Sequence, residues 1–180
     1  MSNHNTIENW DKKWVTMKEP MERDCWVKIR VKKVASLIAS WEKVLDIGCG
    51  TGYIAEFLNP LVDYTGMDFS EEGLKHVKGK KILRDVRNAT LPVNTYDTIL
   101  LMEIVEHLDK PWLIINKAGI CARHQVIITV PNNRMGPDSN VFHVAKYTKE
   151  SIVDLIKHSY PFKEIKVQAP GGNIICQCIK

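Results

Sequence analysis

The sequence predicts an α/β fold built on a mainly parallel sheet, and three observations carry that reading. Residues 44–52 (VLDIGCGTG) lead an apolar run into three glycines spaced by one residue, with a helix-like segment, 53–58, directly behind; this is strand, tight turn, helix. Strand-like and helix-like patterns then alternate along the chain, as parallel strands joined by right-handed crossovers require. Residues 96–102 (YDTILLM) are almost continuously apolar, which suits a central strand buried on both faces.

Taken in order, residues 1–22 are polar with Trp10 and Trp14 one helical turn apart. They are expected to form a poorly packed N-terminal arm or cap, whose rings either plug the core edge or close over a ligand. Residues 23–180 form the core, and 1–180 is expected to be a single domain. From Asp24, an N-cap residue type, Val27, Val31, Val34, Ile38 and Trp41 recur at intervals of three and four. That spacing predicts an amphipathic helix lying on the sheet, with Lys28, Arg30, Lys32 and Lys33 among the intervening positions and the lysines on its solvated face. The glycine turn at 48–52 permits positive φ and close approach of a ligand, and the helix start behind it adds unpaired N–H groups. A nucleotide-like ligand suits that cradle.

Residues 61–67 read as the second strand, ending at Asp68, and Ser70 caps a helix through Glu71, Glu72 and Leu74. A carboxylate ~20 residues beyond the first glycine is placed to accept hydrogen bonds from ribose hydroxyls. The third strand, 81–84, stops at Asp85, which can hold an exocyclic amino group of a purine or simply cap the loop over 86–92. The fourth strand runs into residues 103–108, and Pro111 opens a helix whose apolar face lies in 112–121. The fifth strand, 125–130, is followed by a loop over 132–147 that includes a glycine- and asparagine-containing segment, 134–140. Thr148 caps a last helix with Ile152, Val153, Leu155 and Ile156 inward. Residues 162–168 and 173–179 are closing strands joined through Pro170, Gly171 and Gly172, a hairpin signal.

Composition narrows the setting. Twenty-five basic against 21 acidic residues is a mild excess without a basic block, so nucleic acid is permitted and not indicated. No apolar run approaches the ~18 residues of a membrane span and the N-terminus lacks a secretory pattern; no membrane partner is expected. Five cysteines suggest a reduced, cytoplasmic protein. Cys176 and Cys178 share a strand face and read as small core residues rather than metal ligands.

Asp46-x-Gly48-x-Gly50-x-Gly52, the acids Asp68 and Asp85, and residues 97–108 together resemble the class I S-adenosylmethionine-dependent methyltransferases, over residues 43–160. The likeness is to the small single-domain type of the ubiquinone pathway. It implies a doubly wound, mostly parallel, seven-stranded Rossmann-like sheet with an antiparallel C-terminal hairpin, and S-adenosylmethionine as cofactor. The family's pattern carries cofactor contacts to Asp46, Gly48, Cys49, Gly50, Gly52, Asp68, Phe69, Asp85, Val86, Met102 and Glu103, with Asp68 on the ribose and Asp85 on the adenine amine. A dinucleotide enzyme would need Gly-x-Gly-x-x-Gly; here the third glycine comes one residue early.

Methyl transfer depends on alignment, with a base where the acceptor keeps its proton. His107 and His143 are the candidate catalytic bases, or else hydrogen-bonded loop histidines. Glu103, Glu106 and His107, at i, i+3, i+4, would share a helical face, and His143 could join them. That pattern resembles the small-RNA terminal 2′-O-methyltransferases and the ubiquinone-pathway O-methyltransferases, which use a metal, yet much of it occurs across the superfamily without one. A divalent metal is allowed but not favoured. No Asp/Asn-Pro-Pro-aromatic segment follows the fourth strand and no Pro-Cys nucleophile is present, which argues against base methylation. The reading is O-methylation of a small molecule or glycan by a monomer or homodimer; the alternatives are metal-assisted 2′-O-methylation of an RNA end and a non-catalytic cofactor-binding module or subunit.

Overall fold

The computed structural model describes residues 4–132, 136–137 and 139–180; residues 1–3 of the expected arm and most of residues 133–138 in the expected loop lie outside the described residues. Seven strands, β1 (Lys43–Ile47), β2 (Asp63–Asp68), β3 (Lys80–Leu83), β4 (Tyr96–Met102), β5 (Ala122–Pro131), β6 (Glu164–Gln168) and β7 (Asn173–Ile179), form one sheet in the order β3-β2-β1-β4-β5-β7-β6. The first five run parallel, and β7 lies antiparallel to both β5 and β6. Strand order reverses between β1 and β4, which opens a crevice at their carboxyl ends.

The strands bury both faces because their side chains alternate. Ile99 and Leu101 of β4 join Leu45, Ile47 and Ile128 under the helices α4 (Pro111–Cys121) and α5 (Lys149–Ser159). Leu100, Val44 and Ile127 face the other way, onto Val31 and Val34 of α2 (Cys25–Ala35). Cys176 and Cys178 are fully buried within the first of these layers. The Thr148 cap is present as a capping box with Ser151. No helix among the described residues is long and apolar enough to cross a membrane.

Several expectations are corrected. The arm is a 17-residue helix, α1 (Ile7–Arg23), whose Asp11 carboxylate accepts from the Ser70 hydroxyl and the Glu72 N–H at the start of α3 (Glu71–Leu74). The expected helix over 24–41 stops at Ala35: Asp24 caps it as read, but Trp41 is 74% exposed with φ 75°. Its apolar spacing persists past the helix end because Ile38 reaches the same core from the following turn. Behind the glycine turn lies a five-residue 3₁₀ helix, Tyr53–Phe57, which ends at an extended Leu58 two residues before Pro60. Residues 103–108 hold only a 3₁₀ turn, Val105–His107.

Candidate active site

The glycine turn sits at the carboxyl end of β1. Gly48 and Gly50 lie at φ 73° and 53°, where an L side chain is disfavoured. The Gly48 and Cys49 N–H groups donate to the Met67 carbonyl at 2.7 and 3.1 Å, tying the turn to β2. Asp68, at the end of β2, completes the tie by accepting from the Gly50 and Ser70 N–H groups, each at 2.8 Å. Asp46 is 1% exposed. The Tyr64 hydroxyl donates to its Oδ2 at 2.9 Å, while Oδ1 has no hydrogen-bond partner among the described residues. Burial pushes the Asp46 carboxyl up to about 7, the Tyr64 bond opposing and the Asp68 charge adding.

Asp46 and Asp68 line a cavity of about 410 Å³, as do Gly48, Cys49, Phe69, Asp85, Val86, Met102 and Glu103, a volume in the range of small-ligand sites. Gly50 and Gly52 are not on its wall. A Cβ on Gly50 would lie 2.4 Å from the Trp14 ring, and one on Gly52 would lie 2.9 Å from Val77. Those two glycines shape the turn, and α1 seals one of them.

Two of the expected cofactor acids are already engaged. Asp85 accepts from Arg87 Nε at 2.9 Å and Nη2 at 2.6 Å; although burial alone would raise its carboxyl, the Arg87 bonds and charge hold it below the ordinary value. The Arg87 guanidinium also lies 5.5 Å from the Phe69 ring centroid and donates to the Asn5 carbonyl. Glu103 follows β4 at φ 53°, and that left-handed turn sends its carboxylate to Arg30 at 3.1 Å, Thr129 at 2.8 Å and Asn173 at 3.1 Å.

The expected face of Glu103, Glu106 and His107 therefore does not form: no α-helix runs through it, and Glu103 points to Arg30. The structure instead gathers Glu106, His107 and His143, whose ligand atoms all lie within 4.8 Å of one another. Glu106 is 1% exposed, and neither of its carboxylate oxygens has a hydrogen-bond partner among the described residues. Burial, with the Glu103 charge added, lifts its carboxyl well above the ordinary range against the opposing charges of Arg30 and Lys13. Its main-chain carbonyl accepts from Val144 and Ala145, pinning the His143 segment to the turn.

His107 Nδ1 lies 2.8 Å from the Phe142 carbonyl. A carbonyl only accepts, so Nδ1 carries the proton and Nε2, 4.0 Å from Glu106 Oε1, carries the lone pair. Burial pulls the His107 imidazole down to about 3. Trp10 stands edge-on to it with ring centroids 5.0 Å apart, and His143 is 4.8 Å away on the same measure.

Sequence reasoning missed Lys13, Arg30 and Arg87. Lys13 stands three residues after Trp10 in α1, a spacing that puts both on one helical face; its ammonium lies 4.0 Å from the Trp10 ring centroid and 4.4 Å from that of Phe142. Burial lowers it to about 8, with Glu106 opposing. Arg30 carried no signal that set it apart from the neighbouring lysines. Asp46 and Glu106 share the cavity with Lys13, His107 and His143, so the glycine cradle and the acid–imidazole group face one space.

A family model described as a methyltransferase domain matches residues 22–165. A ubiquinone biosynthesis O-methyltransferase of Psychrobacter cryohalolentis is 28% identical, over 72% of this chain and 56% of its own. A phosphatidylethanolamine N-methyltransferase of Cereibacter sphaeroides is 29% identical, over 56% of each chain. The chain thus spans little more than half the length of these relatives. Among solved structures, the N-methyltransferase NodS of Bradyrhizobium japonicum, in complex with S-adenosyl-L-homocysteine, superposes with a TM-score of 0.76 at 13% identity, covering 98% of both chains. A possible histamine N-methyltransferase of Thermotoga maritima does so with a TM-score of 0.76 at 15% identity, covering 97% of this chain and 100% of its own.

Proposed function

The chain belongs to the methyltransferase-domain family, and from that footing we propose that it transfers a methyl group from S-adenosylmethionine to a hydroxyl oxygen of a small molecule. The observation that carries the choice of chemistry is Glu106: a buried carboxylate without a hydrogen-bond partner among the described residues, in the cavity that the glycine turn also lines. The residues present suit the cofactor. Asp46, on the cavity wall, has a buried Oδ1 without a partner among the described residues, the kind of group a ligand's ammonium satisfies. Gly48, where a Cβ would lie 2.5 Å from Ile104 Cδ1, lets the turn pack on Ile104 while its backbone lines the cavity.

When bound, S-adenosylmethionine supplies an electrophilic methyl on a cationic sulfur. The chain's own task is then to align the acceptor and take its proton. An imidazole pulled down to about 3 is a weak base, whereas burial raises the proton affinity of the Glu106 carboxylate well above its ordinary value. Glu106 is therefore the proton acceptor. His107, its tautomer fixed by Phe142, orients the hydroxyl through Nε2, and His143 closes the far side. The ubiquinone-pathway relative favours oxygen as the acceptor atom.

Glu106→Gln keeps the shape and removes the base. Transfer of labelled methyl should fall by about a hundredfold or more, with S-adenosylmethionine affinity in calorimetry essentially unchanged. An unimpaired Glu106→Gln variant would refute the role.

A second reading rests on the same three residues. A carboxylate and two imidazoles with donor atoms this close are a set that a divalent transition metal accepts, and Glu106, His107 and His143 would hold it, polarising the acceptor oxygen. Manganese titrated calorimetrically into the protein distinguishes the readings: binding lost in His143→Ala favours the metal, and full transfer in chelator excludes it.

A further inference from the structure

Lys13 is a cation that the arm carries into the cavity. The partners the structure gives its ammonium are two ring faces, Trp10 at 4.0 Å and Phe142 at 4.4 Å from their centroids, rather than a carboxylate. On the wall of the same cavity lies Glu106, a carboxyl group with neither oxygen hydrogen-bonded among the described residues. An ammonium and a carboxyl group thus line one cavity without closing on each other, with His107 Nε2 beside the acid. A half-buried cation acts on a charge in such a space far more strongly than it would in water.

We propose that Lys13 selects the acceptor: an acidic hydroxyl of the phenol or enol class, whose oxygen lies between the Lys13 ammonium and the Glu106–His107 pair. The proposal rests on the methyl-transfer reading and adds to it the class of substrate. The hydroxyl O–H bond breaks and its proton passes to a Glu106 oxygen. The electron pair stays on the acceptor oxygen, where the ammonium balances the new negative charge. That pair then forms the oxygen–methyl bond as the methyl–sulfur bond breaks, the bonding electrons leaving with the sulfur. A protonated amine in the same place would face a like charge, which raises the cost of its binding. Lys13 comes from α1, so acceptor choice lies with the element that also covers the glycine turn.

The probe is 4-nitrophenol, whose phenolate absorbs separately from the phenol, bound to the full chain with S-adenosylhomocysteine present and chelator in the buffer. Titrated against pH, the bound phenol should ionise about one unit or more below its value in water. Lys13→Met should lose that shift, and Lys13→Arg should retain most of it. Benzylamine should bind Lys13→Met more tightly than the parent. A Lys13→Met titration that matches the parent would overturn the proposal, as would failure of the parent to bind 4-nitrophenol. No methyl moves in this experiment: labelled-methyl transfer with no pKa shift would defeat Lys13 alone, and a shift with no transfer would defeat the methyl-transfer reading.

Discussion

At the scale of single residues, Asp46 makes the ligand-free site sensitive to pH. Its carboxyl stands at about 7 against an ordinary 3.8 because burial disfavours the charge. A carboxyl raised in the folded state costs stability once ionised, so its contribution is fully present below the unfolded value and is lost as pH rises through about 7. The unfolding midpoint of the ligand-free chain should therefore fall between about pH 4 and about pH 8. Asp46→Asn should flatten that part of the profile while weakening S-adenosylmethionine binding; a profile identical to the parent's would contradict the assignment. Asp68→Ala strips acceptors from the Gly50 and Ser70 N–H groups, and should cost about 1–3 kcal/mol in denaturant unfolding besides at least tenfold in cofactor affinity. Unchanged affinity would leave Asp68 a structural tie only. That Asp46 and Asp68 would stand beside the glycine turn was legible in the sequence, because both lie at or next to the carboxyl ends of strands that the apolar pattern marks. Lys13 and Arg87 were not, since what marks them is a ring or an acid met only after folding.

At the scale of elements, α1 shows where pattern reading fell short. The spacing of Trp10 and Trp14 placed two rings on one face, but the polar residues around them gave no sign of what that face would cover. The covering depends on Asp11 meeting Ser70 and Glu72, 59 and 61 residues away, and on Gly50 offering no Cβ under Trp14. Trp14→Ala should cost about 3 kcal/mol and raise hydrogen exchange in α1 well before the sheet exchanges. Equal protection in parent and variant would mean that α1 is held by other contacts. The turn after Gly52 was read as helix-like and is 3₁₀, ending at an extended Leu58 two residues before Pro60. The shortfall at 103–108 has a local cause: Glu103 leaves β4 in a left-handed turn, which helical spacing does not anticipate.

At the scale of the whole molecule, the sheet order could be expected because each parallel strand is an apolar run bounded by turn residues, and the closing hairpin carries its own signal at 170–172. Reversal of strand order between β1 and β4 then places two different chemistries on one cavity. The glycine-turn side was readable as a motif. The acid–imidazole side was not, because Glu106, His107, His143 and Lys13 come from three separate segments and the grouping that forms leaves out Glu103. The central claim is that this cavity moves a methyl group onto a small-molecule hydroxyl with Glu106 taking the proton. Its most direct test is transfer of isotope-labelled methyl from S-adenosylmethionine into the fractionated small molecules of a cell extract, by the parent chain and by Glu106→Gln side by side. Label in a hydroxyl-bearing fraction with the parent, reduced about a hundredfold or more in the variant, is the expected result. Label in no small-molecule fraction, or equal label from both proteins, would contradict it.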